Sequence, residues 1–205
     1  MNRLRLIAST RRPTLRGRSR GFTLIELMVT IGIAAVLAGL AAPSVRDLIT
    51  NNRLKSHISA LQTSLMLARN EAINRKVRVV VCKSADQASC ATTGDWQQGW
   101  IVFIDDADPD LAHANDGNAT VDPGEALIQK VPALSGSFIL KGGGNVGDYV
   151  SYTSTGAARV KASDTPQFGL FNLCQPTGGN ARQIEIFATG RLSYGKVPES
   201  SCTSS

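Results

Sequence analysis

The sequence predicts an α+β fold, in which one long N-terminal helix packs on a small antiparallel β-sheet or sandwich head. Residues 22–74 keep a helical rhythm, and residues beyond 76 form short β-branched or aromatic runs separated by Gly, Pro, Asn and Asp. No second helical segment is present to connect parallel strands, so we expect antiparallel pairing. A composition that is 42% hydrophobic and 19% charged over 205 residues excludes a disordered chain.

The positive charge of the chain is concentrated at its start. The formal net charge is +6, and seven arginines precede Gly21 with no acidic residue among them. The rest of the chain is nearly neutral, so the net charge of the chain does not indicate phosphate binding, and only a local basic patch could bind nucleic acid. Residues 1–21 are therefore predicted to be a basic leader.

Residues 22–42 are predicted to be a transmembrane helix. The run contains one charge, Glu26, and a helix of this length spans roughly 30 Å, the thickness of the bilayer core. The arginines hold its amino end in the cytoplasm, which places the rest in the periplasm. A secretory signal cleaved near Ala41-Ala42, or a twin-arginine signal at Arg11-Arg12, is an alternative. Neither kind of signal explains why the apolar run contains Glu26, because inserting a carboxylate near one end of a spanning helix into a membrane costs roughly 2–3 kcal/mol.

Residues 43–75 are predicted to extend the same helix with an amphipathic surface, beyond a bend or restart at Pro43. One stripe is apolar and is expected to pack on the head: Leu54, Ile58, Leu61, Leu65, Ala68 and Ala72. A coiled coil is the alternative, but few paired charges support it. His57 borders the stripe and is read as a surface or boundary residue rather than a metal ligand.

Residues 76–205 are predicted to form the β-rich head, with two small sheets and one of them against the helix stripe. The predicted strands are 77–83, 99–105, 126–132, 137–141, 148–154, 168–174 and 182–189. Trp96 and Trp100 are expected in the core. Gly142 to Gly147 match GxGxxG, but a strand rather than a helix follows, so we interpret them as a glycine loop between strands.

The four cysteines are predicted to form disulfides because the head is extracytoplasmic. Three pairings are possible, and the spacing favours Cys82–Cys90 across a hairpin and Cys174–Cys202 holding the C-terminal tail to the last sheet. The Cys and His spacing does not fit a zinc site.

Seven carboxylates lie between Asp105 and Glu125 without a basic residue between them. A calcium site there is one interpretation, although the spacing does not fit an EF-hand, and a solvated or partner-facing loop is the other. No other cofactor is expected. The sequence offers no convergent nucleophile, base or metal site, so an enzyme is not expected.

The stretch Arg20-Gly21-Phe22-Thr23-Leu24-Ile25-Glu26-Leu27-Met28-Val29 resembles the class III signal of type IV pilins and type II secretion pseudopilins. The resemblance implies that a prepilin peptidase cuts after Gly21 and methylates Phe22. It also implies that Glu26 pairs with the amino terminus of a neighbouring subunit. A buried carboxylate is tolerable when it meets an ammonium group in the same apolar layer.

The head resembles the GspH/FimT branch of minor pilins and pseudopilins, through the runs VVVCKSADQASC, DWQQGWIVFID, FNLC and IEIFATGRLSYG. The resemblance implies a pilin-like fold and a subunit held in the inner membrane by a single span, with its head in the periplasm. It further implies assembly with other pilin subunits into a type IV pilus or a type II secretion pseudopilus, near the tip.

DNA binding for DNA uptake is the alternative function. DNA-binding FimT-like pilins carry a Gly-Arg-x-Arg turn, and this chain has Gly190 and Arg191 but Ser193 in place of the second arginine. Cations from nearby loops are expected to compensate through sequence-independent phosphate contacts. These are Lys196, Arg182, Arg159 and Lys161.

Overall fold

The computed structural model describes residues 21–105, 119–161, 163–175, 179 and 181–202, with side chains at all of these except 40–44, 46, 47 and 199. The chain divides into two compact units, Met1–Val45 and Arg46–Ser205. Each unit is described by itself.

Helix α1 runs from Leu24 to Arg75, which confirms the predicted helix to within two residues at each end. The helical backbone continues through Pro43. Lys76 follows with a φ of 62°, and this left-handed conformation ends the helix before the first strand.

The head has eight strands in two antiparallel sheets. The first sheet has the order β3-β2-β1-β5 and is formed by β1 (Val79–Lys83), β2 (Gly99–Ile104), β3 (Leu127–Pro132) and β5 (Tyr149–Tyr152). The second sheet has the order β4-β6-β7-β8 and is formed by β4 (Ile139–Gly144), β6 (Gly169–Cys174), β7 (Ala181–Ile186) and β8 (Leu192–Val197).

All seven predicted strands are present with shifted ends, but two predictions about this region were wrong. The strand β8 was not predicted; it lies at a sheet edge with few buried side chains, so its hydrophobic alternation is weak. The segment Gly142 to Gly147 is not simply a loop, because Gly142–Gly144 belong to β4 and pair with β6. A Cβ at Gly142 would lie 2.4 Å from the Val146 carbonyl oxygen, so glycine lets the chain turn back this tightly.

The predicted apolar stripe of α1 is the centre of the core, and all six of its residues are fully buried. It joins Val81 and Val102 of the first sheet and Phe171 and Ile184 of the second sheet in one cluster. The expectation that one sheet packs on the stripe is therefore incomplete. Each sheet has an apolar face toward the stripe, and both of these faces need cover from water, so both sheets contribute to the same core.

The first sheet is buried on both faces. A smaller apolar cluster on its other side contains Val80, Cys82, Ile101 and Phe103. Cover on both faces explains why every residue of β1 is buried. Lys83 is among them, and its Nζ lies 2.7 Å from Asp148 Oδ1 and donates to the Gly94 carbonyl. A buried ammonium group is tolerated when it is paired in this way.

Both tryptophans lie in the core, as predicted. Trp100 Nε1 donates to Ser64 Oγ at 2.9 Å, and Ser64 Oγ donates to Gln129 Oε1 at 2.8 Å, which links α1 to β2 and β3. Trp96 Nε1 donates to the Gly147 carbonyl at 2.9 Å. These bonds satisfy buried polar groups that are expensive to leave unpaired.

Candidate functional site

The predicted processing site lies immediately before α1. Gly21 and Phe22 are exposed and outside the helix, and Thr23 precedes the first helical residue. A Cβ at Gly21 would meet no atom within 4 Å. The fold of the described chain therefore does not itself require glycine at this position.

Thr23 caps the helix, which the sequence reasoning missed. The Glu26 backbone N–H donates to Thr23 Oγ1 at 3.3 Å, and the Leu27 N–H donates to the Thr23 carbonyl at 3.1 Å. The spacing Thr-x-x-Glu, which is typical of a capping box, was the signal that could have identified it. Glu26 lies in the first turn, where the positive end of the helix dipole favours a carboxylate.

The surface of the first part of α1 is apolar and exposed. Phe22, just before the helix, is exposed, and so are these large apolar side chains of the helix: Leu24, Ile25, Leu27, Met28, Val29, Ile31, Ile33, Val36 and Leu37. Among the residues that the structure describes, no helix combines the length and the apolar character needed to cross a membrane. The membrane segment at 22–42 stays a prediction.

Gly190 occupies a tight turn between β7 and β8. Its N–H donates to the Phe187 carbonyl at 2.7 Å, and its φ is 76°. A Cβ at Gly190 would lie 1.9 Å from the Gly156 carbonyl oxygen, so this glycine is required by the contact between two turns of the head.

Arg69 of α1 holds these two turns, a role that the sequence did not indicate. Its Nε donates to the Gly156 carbonyl at 2.9 Å, and its Nη2 donates to the Thr189 carbonyl at 3.3 Å. Arg69, Asn70 and Gly190 line a cleft of about 310 Å³ together with Arg191. Arg69 is thus mainly occupied with backbone carbonyls.

Three of the predicted DNA-binding cations lie on β7, on β8 and at the turn between these strands. Arg191 is exposed at the turn, and Lys196 is exposed near the far end of β8, so roughly 16 Å of extended chain separates them. Arg182 pairs with Lys196 across β7 and β8 but is only 3% exposed. The prediction that Arg182 contacts phosphate was wrong, because its position at the core-facing side of β7 removes it from solvent.

The two remaining candidate cations lie in the segment after β5. Arg159 Nη1 donates to the Asp164 carbonyl, and Lys161 Nζ lies 5.6 Å from the centre of the Tyr149 ring. A cation at that distance from an aromatic face gains a favourable local contact. Both side chains therefore have partners within the head.

The acidic segment is only partly described. Residues 106–118 lie outside the described residues, and Asp105 is buried with its Oδ2 accepting the Ala119 N–H at 3.1 Å. In the described ranges no three His, Cys, Asp or Glu side chains form a group that would hold a metal ion. Calcium binding stays a prediction. His57 is half-buried, donates through Nε2 to the Ser135 carbonyl and packs on Phe138.

Both predicted disulfides are present. Cys82–Cys90 closes the loop after β1, with Cα atoms 5.5 Å apart. Cys174–Cys202 joins the end of β6 to the short 3₁₀ helix Glu199–Cys202, with Cα atoms 6.0 Å apart. The second disulfide holds the C-terminal segment against the second sheet, where Asn172 Nδ2 donates to the Ser201 carbonyl at 3.1 Å.

Known proteins are similar to this chain, one over part of its sequence and another in its fold. The chain is 34% identical over 108 residues to the pilin-like protein PilA1 of Thermus thermophilus, and the match covers 52% of this chain and 55% of PilA1. The chain thus spans about half the length of that curated relative. The type IV minor pilin FimU of Pseudomonas aeruginosa has a similar fold, with a TM-score of 0.50 at 21% identity over 74% of this chain and 92% of FimU.

Two family models match the chain. Residues 16–42 match the prokaryotic N-terminal methylation motif, which includes Gly21, Phe22 and Glu26. Residues 57–190 match the type II transport protein GspH. The second match covers more than half of the chain, so the chain belongs to the GspH family. Together with the methylation motif and the pilin-like fold, this makes it a type IV minor pilin or pseudopilin.

Proposed function

We propose that this chain is a membrane-stored precursor, which prepilin peptidase cleaves after Gly21 and methylates at Phe22. The product then assembles with other pilin subunits near the tip of a type IV pilus or a type II secretion pseudopilus. The observation that carries the proposal is an exposed Gly21–Phe22 bond directly before a capped apolar helix with Glu26 in its first turn.

Membrane storage accounts for the exposed apolar surface between Phe22 and Leu37. Leaving so many large apolar side chains in water is unfavourable, because each fully exposed Leu, Ile or Phe forgoes roughly 1.5–3 kcal/mol of burial free energy. A bilayer covers this surface before assembly, and the helices of neighbouring subunits cover it in the fibre.

Glu26 is available for a contact between subunits. Its backbone N–H is already capped by Thr23, and its carboxylate forms no ion pair with the described residues. Cleavage after Gly21 creates an ammonium group at Phe22, close to the positive end of the helix dipole. A carboxylate from a neighbouring subunit at the same depth neutralises that charge, and Glu26 is suited to this role.

The processing step is tested by Gly21→Ala in the full-length chain. We expect a larger, unprocessed species in membrane fractions, detected by immunoblot and by mass spectrometry of the amino terminus. Gly32→Ala is the matched control, since a Cβ at Gly32 also meets no atom within 4 Å. The control should mature normally, and normal maturation of Gly21→Ala would overturn the proposal.

The assembly step is tested by Glu26→Gln, which keeps the size of the side chain and removes its charge. We expect normal cleavage and methylation, but at least about tenfold less of the subunit in sheared fibres, because the partner ammonium is left unpaired. Wild-type incorporation would contradict the charge-pair mechanism without affecting the processing step.

DNA contact is the second candidate, and the exposed side chains of Arg191 and Lys196 favour it. Gly190 is explained by packing, and Arg182 is buried. The structural role is therefore the leading proposal.

A further inference from the structure

The second sheet carries a groove on the face that points away from the core. Leu170, Glu185 and Ser193 are neighbours across β6, β7 and β8, whereas Phe171 and Ile184 on the opposite face enter the core. The cavity has a volume of about 650 Å³. We call it the outer groove, and its rim and floor include Phe168, Leu170, Phe187, Gly143, Gly169 and Glu185.

The rim of the outer groove is apolar and open to solvent. Phe168 is 58% exposed, Leu170 is 37% exposed and Phe187 is 43% exposed. Contiguous exposed apolar side chains of this size typically mark a protein contact. Aromatic residues at such a patch supply much of the contact energy in protein interfaces.

Glycine lines part of the groove, which gives a partner access to the sheet. A Cβ at Gly143 would meet only the Leu170 carbonyl oxygen, at 3.8 Å, so the space above this residue is open. The backbone of an extended segment can approach closely where no side chain intervenes.

Glu185 is the charged residue that lines the cavity, and it defines the chemistry of the partner. It is half-buried beside Leu170, and no hydrogen bond or ion pair joins its side chain to another described residue. Docking of a purely apolar segment would remove the carboxylate from water without compensation, which is unfavourable. A cation on the docking segment removes that penalty.

We propose that the outer groove binds an extended apolar segment of a neighbouring pilin subunit, with one Lys or Arg of that segment placed against Glu185. This inference rests on the proposed function, because it takes assembly with other subunits as given. The cation selects the partner by charge, and the aromatic rim provides the contact area.

The C-terminal segment forms one wall of the groove. Ser201 lines the cavity, and its carbonyl accepts the Asn172 Nδ2 bond. Gln183 Nε2 donates to Asn172 Oδ1 at 2.8 Å, which continues this polar contact across the groove floor. The Cys174–Cys202 disulfide therefore fixes the shape of the surface that the partner meets.

Site-specific photo-crosslinking in cells that assemble the fibre tests this proposal. The probe p-benzoylphenylalanine is placed at position 168 of the full-length chain, and the crosslinked peptide is identified by mass spectrometry. We expect a peptide from a neighbouring subunit that has Lys or Arg between apolar residues. Glu185→Lys should lower the crosslink yield by about tenfold through like-charge repulsion, and Glu185→Gln should lower it less.

Asp95→Asn is the matched control for Glu185→Gln. Asp95 is a partly buried carboxylate that makes no capping bond, and it does not line the groove. This variant should leave the crosslink yield unchanged. Thermal unfolding of the purified full-length variants checks that each one is folded.

The proposal is overturned if position 168 yields no protein crosslink, if the captured peptide has no cation, or if Glu185→Lys leaves the yield unchanged. Cleavage at Gly21 and the amount of subunit in sheared fibres are measured in the same samples. Loss of these two readouts would instead indicate failure of the proposed function.

Discussion

At the scale of single residues, Gly190 shows how a position that resembles a binding motif is explained by packing. Its φ of 76° and the 1.9 Å approach of a Cβ to the Gly156 carbonyl oxygen both exclude a larger side chain. Arg69 binds the same carbonyl, so a shift of either turn also disturbs α1. The motif glycine is therefore needed for folding, whether or not its neighbour Arg191 binds an anion.

Gly190→Ala should lower the free energy of unfolding by roughly 2–4 kcal/mol, because backbone strain and displacement of the Gly156 turn add together. Gly195→Ala is the control, since a Cβ at Gly195 meets no atom within 4 Å. It should change stability by no more than about 0.5 kcal/mol. Urea unfolding measures both, and equal effects would contradict the packing explanation.

Asp86 gives a prediction about pH. Hydrogen bonds from the Ser89 side chain, from the Ser89 and Ala88 backbone N–H groups and from Ser84 hold the pKa of this carboxyl far below its usual range. The bonds favour the ionised form, so their stabilisation is fully present above the unfolded-state pKa of about 4 and is lost as the pH falls through the lower folded-state pKa.

Asp86→Asn should therefore be less stable than the wild type at pH 7, and the difference should shrink as the pH falls below about 4. Thermal unfolding from pH 7 to the most acidic pH at which the chain stays soluble measures this. A difference that is constant across the range would show that the charge of Asp86 has no role in its loop.

At the scale of elements, helix α1 was predictable and strand β8 was not. The stripe from Leu54 to Ala72 has helical spacing, and every predicted member is buried. Strand β8 has no fully buried residue and includes an exposed lysine, so its pairing with β7 defines it more than its own hydrophobic pattern does. An edge strand obtains its structure from its neighbour, which a local sequence pattern does not record.

The two disulfides should contribute unequally to stability. Loop closure predicts about 2–3 kcal/mol for Cys82–Cys90, with a separation of 8 residues, and about 3–4 kcal/mol for Cys174–Cys202, with a separation of 28 residues. Each pair is replaced by serines and unfolding in urea is measured. Equal losses, or a larger loss for the first pair, would show that packing of Cys82 outweighs the loop-length effect.

At the scale of the whole molecule, the exposure and contacts of the candidate cations bear on the DNA-uptake alternative. Arg191, Lys196 and Lys161 are exposed, whereas Arg182 is buried and Arg69, which lies beside Arg191, donates to backbone carbonyls. A dedicated phosphate site places its cations together, so that several contacts form at once. Because Arg182 is buried and Arg69 is bound to carbonyls, fewer cations than the sequence suggests are available beside Arg191.

A gel shift of the full-length chain in detergent with plain duplex DNA tests this interpretation. We expect at most weak binding that disappears as salt is raised, with similar small losses for Arg191→Ala and for Lys130→Ala, an exposed cation of β3. A loss of binding specific to Arg191→Ala would instead support the DNA-uptake alternative.

The sequence alone indicated the structural features that depend on residue periodicity and on spacing along the chain. These include the helix, seven strands and the cysteine pairing that the spacing favoured, which the structure confirms. The contiguous motif also gives Gly21 and Phe22 as the processing residues, and this stays a prediction. Each follows from periodicity, chain length or a contiguous motif, and such signals are present in neighbouring residues.

Only the tertiary structure decided which distant residues meet. It buried Arg182, assigned Arg69 to the Gly156 and Thr189 carbonyls, and placed Glu185 in the outer groove. These outcomes depend on sheet order and register, because a side chain's exposure is set by the strands and turns packed around it. That information lies in contacts between distant segments, and no local pattern contains it.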